Sequence, residues 1–375
     1  MQLRILATAR DVGAAQHLAV LVRHAAGQAS FRLLAAGAAV ETLRAIGIGA
    51  ETWTAATDRD ASLRDLARRI EATRTDFVLT GMAYPGVALD ELMAIAARTA
   101  GVPSGAIQDY WGYLGAFEPG AYPDLFFVLH ESAARLTERR LGAAVACHVT
   151  GSPKHEDFRD RVARWQQAGG RRDRTRTITL FCQPRYVPGT VDNLRAVARA
   201  FATLPADARL RVKLHPGDAD AAFVAAAMAP VAARLSFTDA GDTTEALLLG
   251  SDVSVTFFST VGLDHAYLQR YSETPIGGLL YVTVGAEIAR FIAEQIGEDE
   301  IPLVDAGVGR RVRAESEIAP ALIAMLDDQE SGRRYREAVL RNFGASQSPC
   351  AAVLDVIRRH VAQRGSVRPH HLLKT

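Results

Sequence analysis

Short apolar, β-branched runs alternate with Ala- and Leu-rich stretches of helical length almost from end to end of this chain. The first series begins with "LRILATA", a helical pattern around "AAQHLAVLVRHAAG" and "FRLLAAG". The helices "AAVETLRAIG" and "SLRDLARRIEATR" follow, then the strand "DFVLTG" and the helix "ALDELMAIAARTAG". "PSGAIQDYWGY" and "PDLFFVLH" close the series before the helix "ESAARLTERRLG". Strands that read as continuous apolar runs, each followed by a helix, imply parallel sheets covered on both faces.

A polar, basic stretch from Gln166 to Thr177, "QQAGGRRDRTRT", interrupts the rhythm, which then restarts. "ITLFCQP", "RLRVKLHP", "LSFTDA", "VSVTFF", "GGLLYVTV" and "IPLVD" read as strands with helices between them, and the chain after about Glu315 reads as helical. The expectation is α/β: two Rossmann-like doubly wound parallel-sheet domains facing across a cleft. Residues 1–165 form the N-terminal domain and 166–177 the linker. Residues 178–345 form the C-terminal domain, and a last helix in 346–375 packs back on the first. In such sheets ligands sit outside the carboxyl ends of strands, so the chemistry belongs in loops that follow strands.

Composition narrows the partners. A net charge of +1 over 375 residues gives no electrostatic case for nucleic acid or a membrane surface as the main partner. Cys147, Cys182 and Cys350 have neither metal-ligand spacing nor a disulfide framework, which favours a reducing compartment and predicts no metal. "MQLRILATARDVG" is too punctuated for a signal peptide, and no run reaches the roughly 20 apolar residues of a spanning helix. The expected location is cytoplasmic, with peripheral membrane contact left open; oligomeric state is not written in the sequence.

Several strand-end loops carry polar side chains. "KLHPGD" holds His215 where Pro216 stops a strand, able to donate to a phosphate or base carbonyl, or simply part of a turn. "TFFSTVGLDH" places Ser259 and Thr260 at a strand-to-helix junction, where hydroxyls and first-turn N–H groups suit an anion and also suit a helix cap. "FCQPRYVPGT" offers the guanidinium fork of Arg185 for bidentate phosphate contact, against the commoner surface arginine.

In the first half, "TARDVGAAQHL" lacks the G-x-G-x-x-G fingerprint, which counts against NAD or FAD; no cofactor is expected. Gly13 permits close backbone approach there, and Asp11 is either a base or a helix N-cap. "GAIQDYWGYLGAFEPG" sets Asp109, Tyr110, Trp111 and Tyr113 directly after a strand, with Glu118 beyond. Aromatic faces beside a carboxylate suit a sugar ring, and equally a corner of the core. "TGMAYPGVALDE" adds a loop with Tyr84 and Pro85, and Gly151-Ser152-Pro153 reads as a structural turn.

These segments together resemble the GT-B superfamily, near the non-hydrolysing UDP-N-acetylglucosamine 2-epimerases and related bacterial glycosyltransferases. "PDLFFVLHESAARLTERRLGAAVACHVTGSPKHEDF" is similar to the epimerase segment that ends the N-terminal domain, and "VKLHPGD" to its strand ending in His-Pro. "LLLGSDVSVTFFSTVGLDHAYL" occupies the slot of its Asp-Ser-Gly-Gly phosphate loop, here Phe258-Ser259-Thr260-Val261. "LTGMAYPG" carries no Asp where the epimerases have a catalytic one. The His-Pro and hydroxyl pair instead resembles bacterial sialyltransferases and polyol-phosphate transferases, which implies cytidine-nucleotide contacts for His215, Ser259 and Thr260.

The expected activity is metal-independent transfer of a sugar from a nucleotide-sugar donor to an unidentified acceptor. Arg185, His215, Ser259 and Thr260 would hold the nucleotide and its phosphates. Asp109, or else Asp11, would deprotonate the acceptor hydroxyl, with Gly13, Tyr110 and Trp111 lining the acceptor side. A nucleotide-sugar 2-epimerase and a non-catalytic GT-B-shaped binding protein are the alternatives.

Overall fold

The computed structural model describes residues 2–82, 88–111, 117, 121–142, 145–170, 176–215, 217–239, 241–343 and 348–366. Tyr84, Pro85, Tyr113, Pro216 and Glu118 lie outside the described residues. The chain divides into two compact units, Met1–Asp157 with Ser346–Thr375, and Phe158–Ala345.

The first unit contains strands β1 (Leu3–Ala9), β2 (Ala29–Ala35), β3 (Glu51–Thr52), β4 (Phe77–Thr80), β5 (Ser104–Ile107), β6 (Leu125–Val128) and β7 (Ala146–Val149). They pair in parallel in the order β3-β2-β1-β4-β5-β6-β7. Its helices are α1 (Val12–His24), α2 (Ala38–Ile46), α3 (Arg59–Ala72), α4 (Leu89–Thr99), α5 (Glu131–Leu141) and the C-terminal α15 (Pro349–Ser366). Every residue of "FVLT" in β4 and "LFFV" in β6 is buried, because helices cover both faces. Successive side chains point to opposite faces. Ile5 and Phe77 therefore pack with Leu18 and Leu21 of α1 and Val353 and Ile357 of α15, whereas Leu6 and Val78 pack with Leu66 of α3 and Met93 of α4. Each such side chain contributes about 1.5–3 kcal/mol by leaving water.

The second unit contains β8 (Thr177–Phe181), β9 (Arg209–Lys213), β10 (Leu235–Phe237), β11 (Val253–Thr256), β12 (Gly278–Val282) and β13 (Arg310–Val312), all parallel in the order β10-β9-β8-β11-β12-β13. Its helices are α6 (Phe158–Gln167), α7 (Thr190–Ala202), α8 (Ala221–Ala227), α9 (Thr244–Leu249), α10 (Val261–Tyr271), α11 (Ala286–Ile296), α12 (Pro302–Asp305), α13 (Ile318–Asp327) and α14 (Gln329–Phe343).

Two sequence readings need correction. "IPLVD" is not a strand: Pro302 stands at the first position of α12, where its fixed φ and missing N–H favour a helix start, and the last strand is β13. The division between units falls at Asp157/Phe158, ahead of α6, rather than in a linker at 166–177.

Both sheets wind outward from a central strand and resume on its other side. β1 leads to β2 and β3 before β4 pairs with β1, and β8 leads to β9 and β10 before β11 pairs with β8. Each unit thus has a topological switch point, where strand-end loops diverge and leave room for a ligand. Among the described residues no helix is long and apolar enough to cross a membrane. No group of three or more His, Cys, Asp or Glu side chains there is placed to hold a metal ion.

Candidate functional site

In the second unit the polar groups follow the carboxyl ends of β8, β9 and β11, the three strands at the switch point. The loop after β8 is tied to the loop after β11 by one side chain. The Gln183 amide donates to the Phe258 carbonyl and accepts from the Phe258 N–H at 2.7 Å, reproducing a strand pair beyond the sheet.

The loop after β8 is also tied to the loop after β9. Arg185 donates its backbone N–H to Asp218 (2.7 Å), and its Nε and one terminal nitrogen lie 2.9–3.1 Å from the same carboxylate. A further bond reaches Asp220 at 3.0 Å, with the guanidinium over the Phe223 ring. The fork expected to grip a phosphate is occupied by carboxylates, so Arg185 acts in the structure as a strut between loops.

The strut positions His215, which bridges to Asp218 across the turn. His215 Nδ1 accepts from the Gly217 N–H at 3.0 Å, which assigns the ring proton to Nε2. Burial lowers the pKa of His215 and Asp218 opposes the shift, leaving a neutral imidazole with one N–H to offer near pH 7. Ser259 and Thr260 are half-buried at the start of α10. The first-turn N–H groups expected to receive an anion have partners: Val261 donates to Ser259 Oγ (3.3 Å), Gly262 to the Ser259 carbonyl (3.3 Å) and Leu263 to the Thr260 carbonyl (2.8 Å). Thr260 makes no side-chain cap bond. Its hydroxyl and His215 Nε2 are two donors at this sheet edge, and the Ser259 hydroxyl, which accepts from Val261, keeps its O–H to donate.

In the first unit Asp11 caps α1 by accepting from the Ala14 N–H at 2.8 Å. Burial raises its pKa above the ordinary carboxylate value, the Ala14 bond opposes this, and the negative charge of Asp109 adds to it. Asp109, just beyond β5, is the hub. Its Oδ1 accepts from Lys154 Nζ at 2.7 Å and from His17 Nε2 at 2.9 Å. His17 is 1% exposed, and its Nδ1 accepts from the Lys154 N–H, so the Nε2 proton points at the carboxylate. Burial by itself would raise the Asp109 pKa, but the Lys154 charge and the His17 bond together hold it well below the usual range. Such a carboxylate is a weak base, which runs against the general-base role read from sequence.

Gly13 explains itself beside Asp109: a Cβ built on it would lie 2.1 Å from Asp109 Oδ2. Gly13→Ala gains about 1 kcal/mol of helix propensity and forces an overlap that costs about 1–3 kcal/mol. Since the overlap also breaks the ion pair, net destabilisation is expected in a urea melt; a stabilised variant would show that Asp109 swings away freely. Trp111 is fully buried and its ring lies 5.0 Å from that of Tyr110, so the sequence-based substrate face on Trp111 is a core corner instead. Tyr110 is half-buried.

Sequence reasoning missed His17, Lys154, Gln183 and Asp218. The first sits among apolar helical residues in "AAQHL" and the second follows a turn in "GSPKHEDF". Only the folded chain brings them to Asp109.

Two doubly wound units of this strand order in one chain make the GT-B fold, and solved structures bear this out. The chain is similar to a provisionally assigned UDP-N-acetylglucosamine 2-epimerase of Listeria monocytogenes, at 13% identity and a TM-score of 0.69 over 97% of this chain and 98% of that one. It is similar to the UDP-GlcNAc 2-epimerase of Neisseria meningitidis bound to UDP-GlcNAc (10% identity, TM-score 0.61, 96% and 100% covered). It is also similar to MurG of Acinetobacter baumannii (15% identity, TM-score 0.61, 95% and 99% covered). Identities this low show the fold alone. No protein-family model matches the chain, and no curated protein matches it significantly by sequence.

Proposed function

We propose that this protein is an enzyme acting on a nucleotide-sugar, with the nucleotide held on the second unit. The carrying observation is the edge shared by the β8, β9 and β11 loops, where Gln183 and the Arg185–Asp218 pair fix His215 beside a switch point. His215 Nε2 and the Thr260 hydroxyl donate to the phosphates, Ser259 shapes the loop, and Arg185 acts through Asp218. These neutral donors stabilise charge developing on the leaving nucleotide. Resemblance to the structure holding UDP-GlcNAc supports this class of substrate.

Sugar transfer to an acceptor is the reading we favour from the His-Pro and Ser-Thr pattern. The acceptor hydroxyl would give its proton to Asp11, whose raised pKa makes it a better base than Asp109. Asp109, with Gly13 and Tyr110, organises the acceptor side through His17 and Lys154. C2 epimerisation is the second reading, favoured by the likeness to two epimerase structures. Incubation with UDP-GlcNAc and no acceptor separates them: transfer leaves the sugar unchanged at C2, whereas epimerisation yields the inverted sugar. His215→Ala is expected to weaken nucleotide binding by about 1.5–3 kcal/mol, the range for a hydrogen bond to a charged group. Unchanged affinity by calorimetry would remove His215 from the site.

A further inference from the structure

A cavity of about 880 Å³ opens in the second unit. Asp252 just before β11, Gly278 at the start of β12 and Arg310 at the start of β13 all line it, so it lies at the amino-terminal edge of the sheet. His215, Ser259 and Thr260 follow strand carboxyl ends, and strands of this length set the two edges about 15 Å apart. The cavity is therefore a separate place on the molecule.

Its lining mixes charge and apolar surface. It includes Arg310, Arg333, Arg334 and Arg341, against only two acids, Asp252 and Asp328. Asp252 accepts from the Thr177 N–H at 2.7 Å, and Asp328 accepts from the Glu330 N–H and pairs with Arg334 at 3.3 Å. Arg333 pairs with Glu330 and Arg341 with Glu337 at 3.9 Å, but neither glutamate lines the cavity. Arg310 has no ion pair within 4 Å among the described residues. These arginines are largely exposed, and exposed pairs of this kind hold weakly, so an incoming anion displaces them readily. Four guanidinium groups against two carboxylates leave the lining at a net charge of +2. The same lining includes aliphatic side chains, Ile276, Leu279, Met325 and Leu326. Tyr335 adds an aromatic face, anchored through its hydroxyl to His265 Nδ1 at 2.7 Å.

We propose that this cavity binds an alkyl phosphate, with the dianionic phosphate on Arg310 and Arg341 and the alkyl chain along Met325 and Leu326. Guanidinium forks match phosphate oxygens in pairs, and the aliphatic side chains reward burial of methylene groups.

The test is calorimetric titration of the intact protein with hexyl phosphate and with inorganic phosphate. Hexyl phosphate is expected to bind, and inorganic phosphate to bind at least roughly ten-fold more weakly because it buries no methylenes. The double variant Arg310→Ala with Arg341→Ala should weaken hexyl phosphate at least roughly ten-fold, whereas His215→Ala should leave it unchanged. Arg341→Glu, a single change on the surface of α14, gives the same direction of effect should the double variant fold poorly. Absence of binding, equal affinity for the two phosphates, or full affinity in the arginine variants overturns the proposal. Loss in His215→Ala alone would move the ligand to the strand-end site and overturn it too. A failure of His215→Ala to affect nucleotide binding bears only on the proposed function.

Discussion

Replacing Lys154 by Met is expected to destabilise the protein by about 3–5 kcal/mol, the range for breaking a buried ion pair from one side. The Lys154 side chain is 11% exposed and that of Asp109 25%, so the abandoned carboxylate cannot recover full hydration. His17 would still donate to Oδ1, but that one hydrogen bond does not replace the Lys154 ammonium at 2.7 Å. Asp109→Asn in the same chain removes the charge as well, and most of the lost stability should return. That non-additivity identifies a pair rather than two separate packing defects. Thermal melts of the two single variants and the double variant measure it. A Lys154→Met melt indistinguishable from wild type would mean that water already serves Asp109.

Asp90 should contribute stability that is lost as pH rises from about 4 to about 7, against the opposite contribution of the buried His130 and His265, whose pKa values burial pushes down to about 3. Asp90, in the first turn of α4, is wholly buried; its Oδ1 accepts from the Thr8 hydroxyl at 2.5 Å, while Oδ2 has no partner among the described residues. Burial pushes its pKa up to about 7, with the Thr8 bond opposing and the charges of Glu91 and Asp11 adding. The folded value lies above the unfolded one near 3.8, so the native state binds the extra proton between them and loses that advantage as pH rises. The slope is about 1.4 kcal/mol per pH unit in that window and the total at most about 4 kcal/mol. Asp90→Asn keeps the shape and removes this titration, so the stability of the variant relative to wild type, measured in urea, should rise by about 2–3 kcal/mol between pH 5 and pH 7.5. A difference that does not change with pH would take Asp90 out of the pH dependence.

The parallel sheets were legible because β4, β6, β8 and β11 are buried on both faces and so carry apolar residues interrupted by nothing more polar than Ser or Thr. The edges were not. β3 is the dipeptide Glu51–Thr52, and β13 begins with two arginines, because an edge strand has one neighbour and retains polar residues. α14 was covered only by the general reading of the chain after Glu315 as helical, because "QESGRRYREAVLRNF" is polar over most of its length.

The positions of the candidate residues after strands were more legible than their surroundings. Strand-end placement found Asp11, Asp109, Arg185, His215 and the Ser259–Thr260 pair, since chain order alone fixes which loops follow strands. What each group does depends on neighbours distant in sequence. Asp218 lies 33 residues from Arg185, and Lys154 lies 45 from Asp109. Those partners turn an apparent phosphate fork into a strut and an apparent base into an ion-pair hub. Buried acids such as Asp90 leave no local trace, because their solvation is decided by the surrounding elements.

A crystal structure with a pyrimidine nucleoside diphosphate bound tests the central claim most directly. The diphosphate should lie at the carboxyl ends of β8, β9 and β11, within hydrogen-bond distance of His215 Nε2 and the Thr260 hydroxyl. A nucleotide seated anywhere else on the protein, with both of those donors facing water, would contradict it.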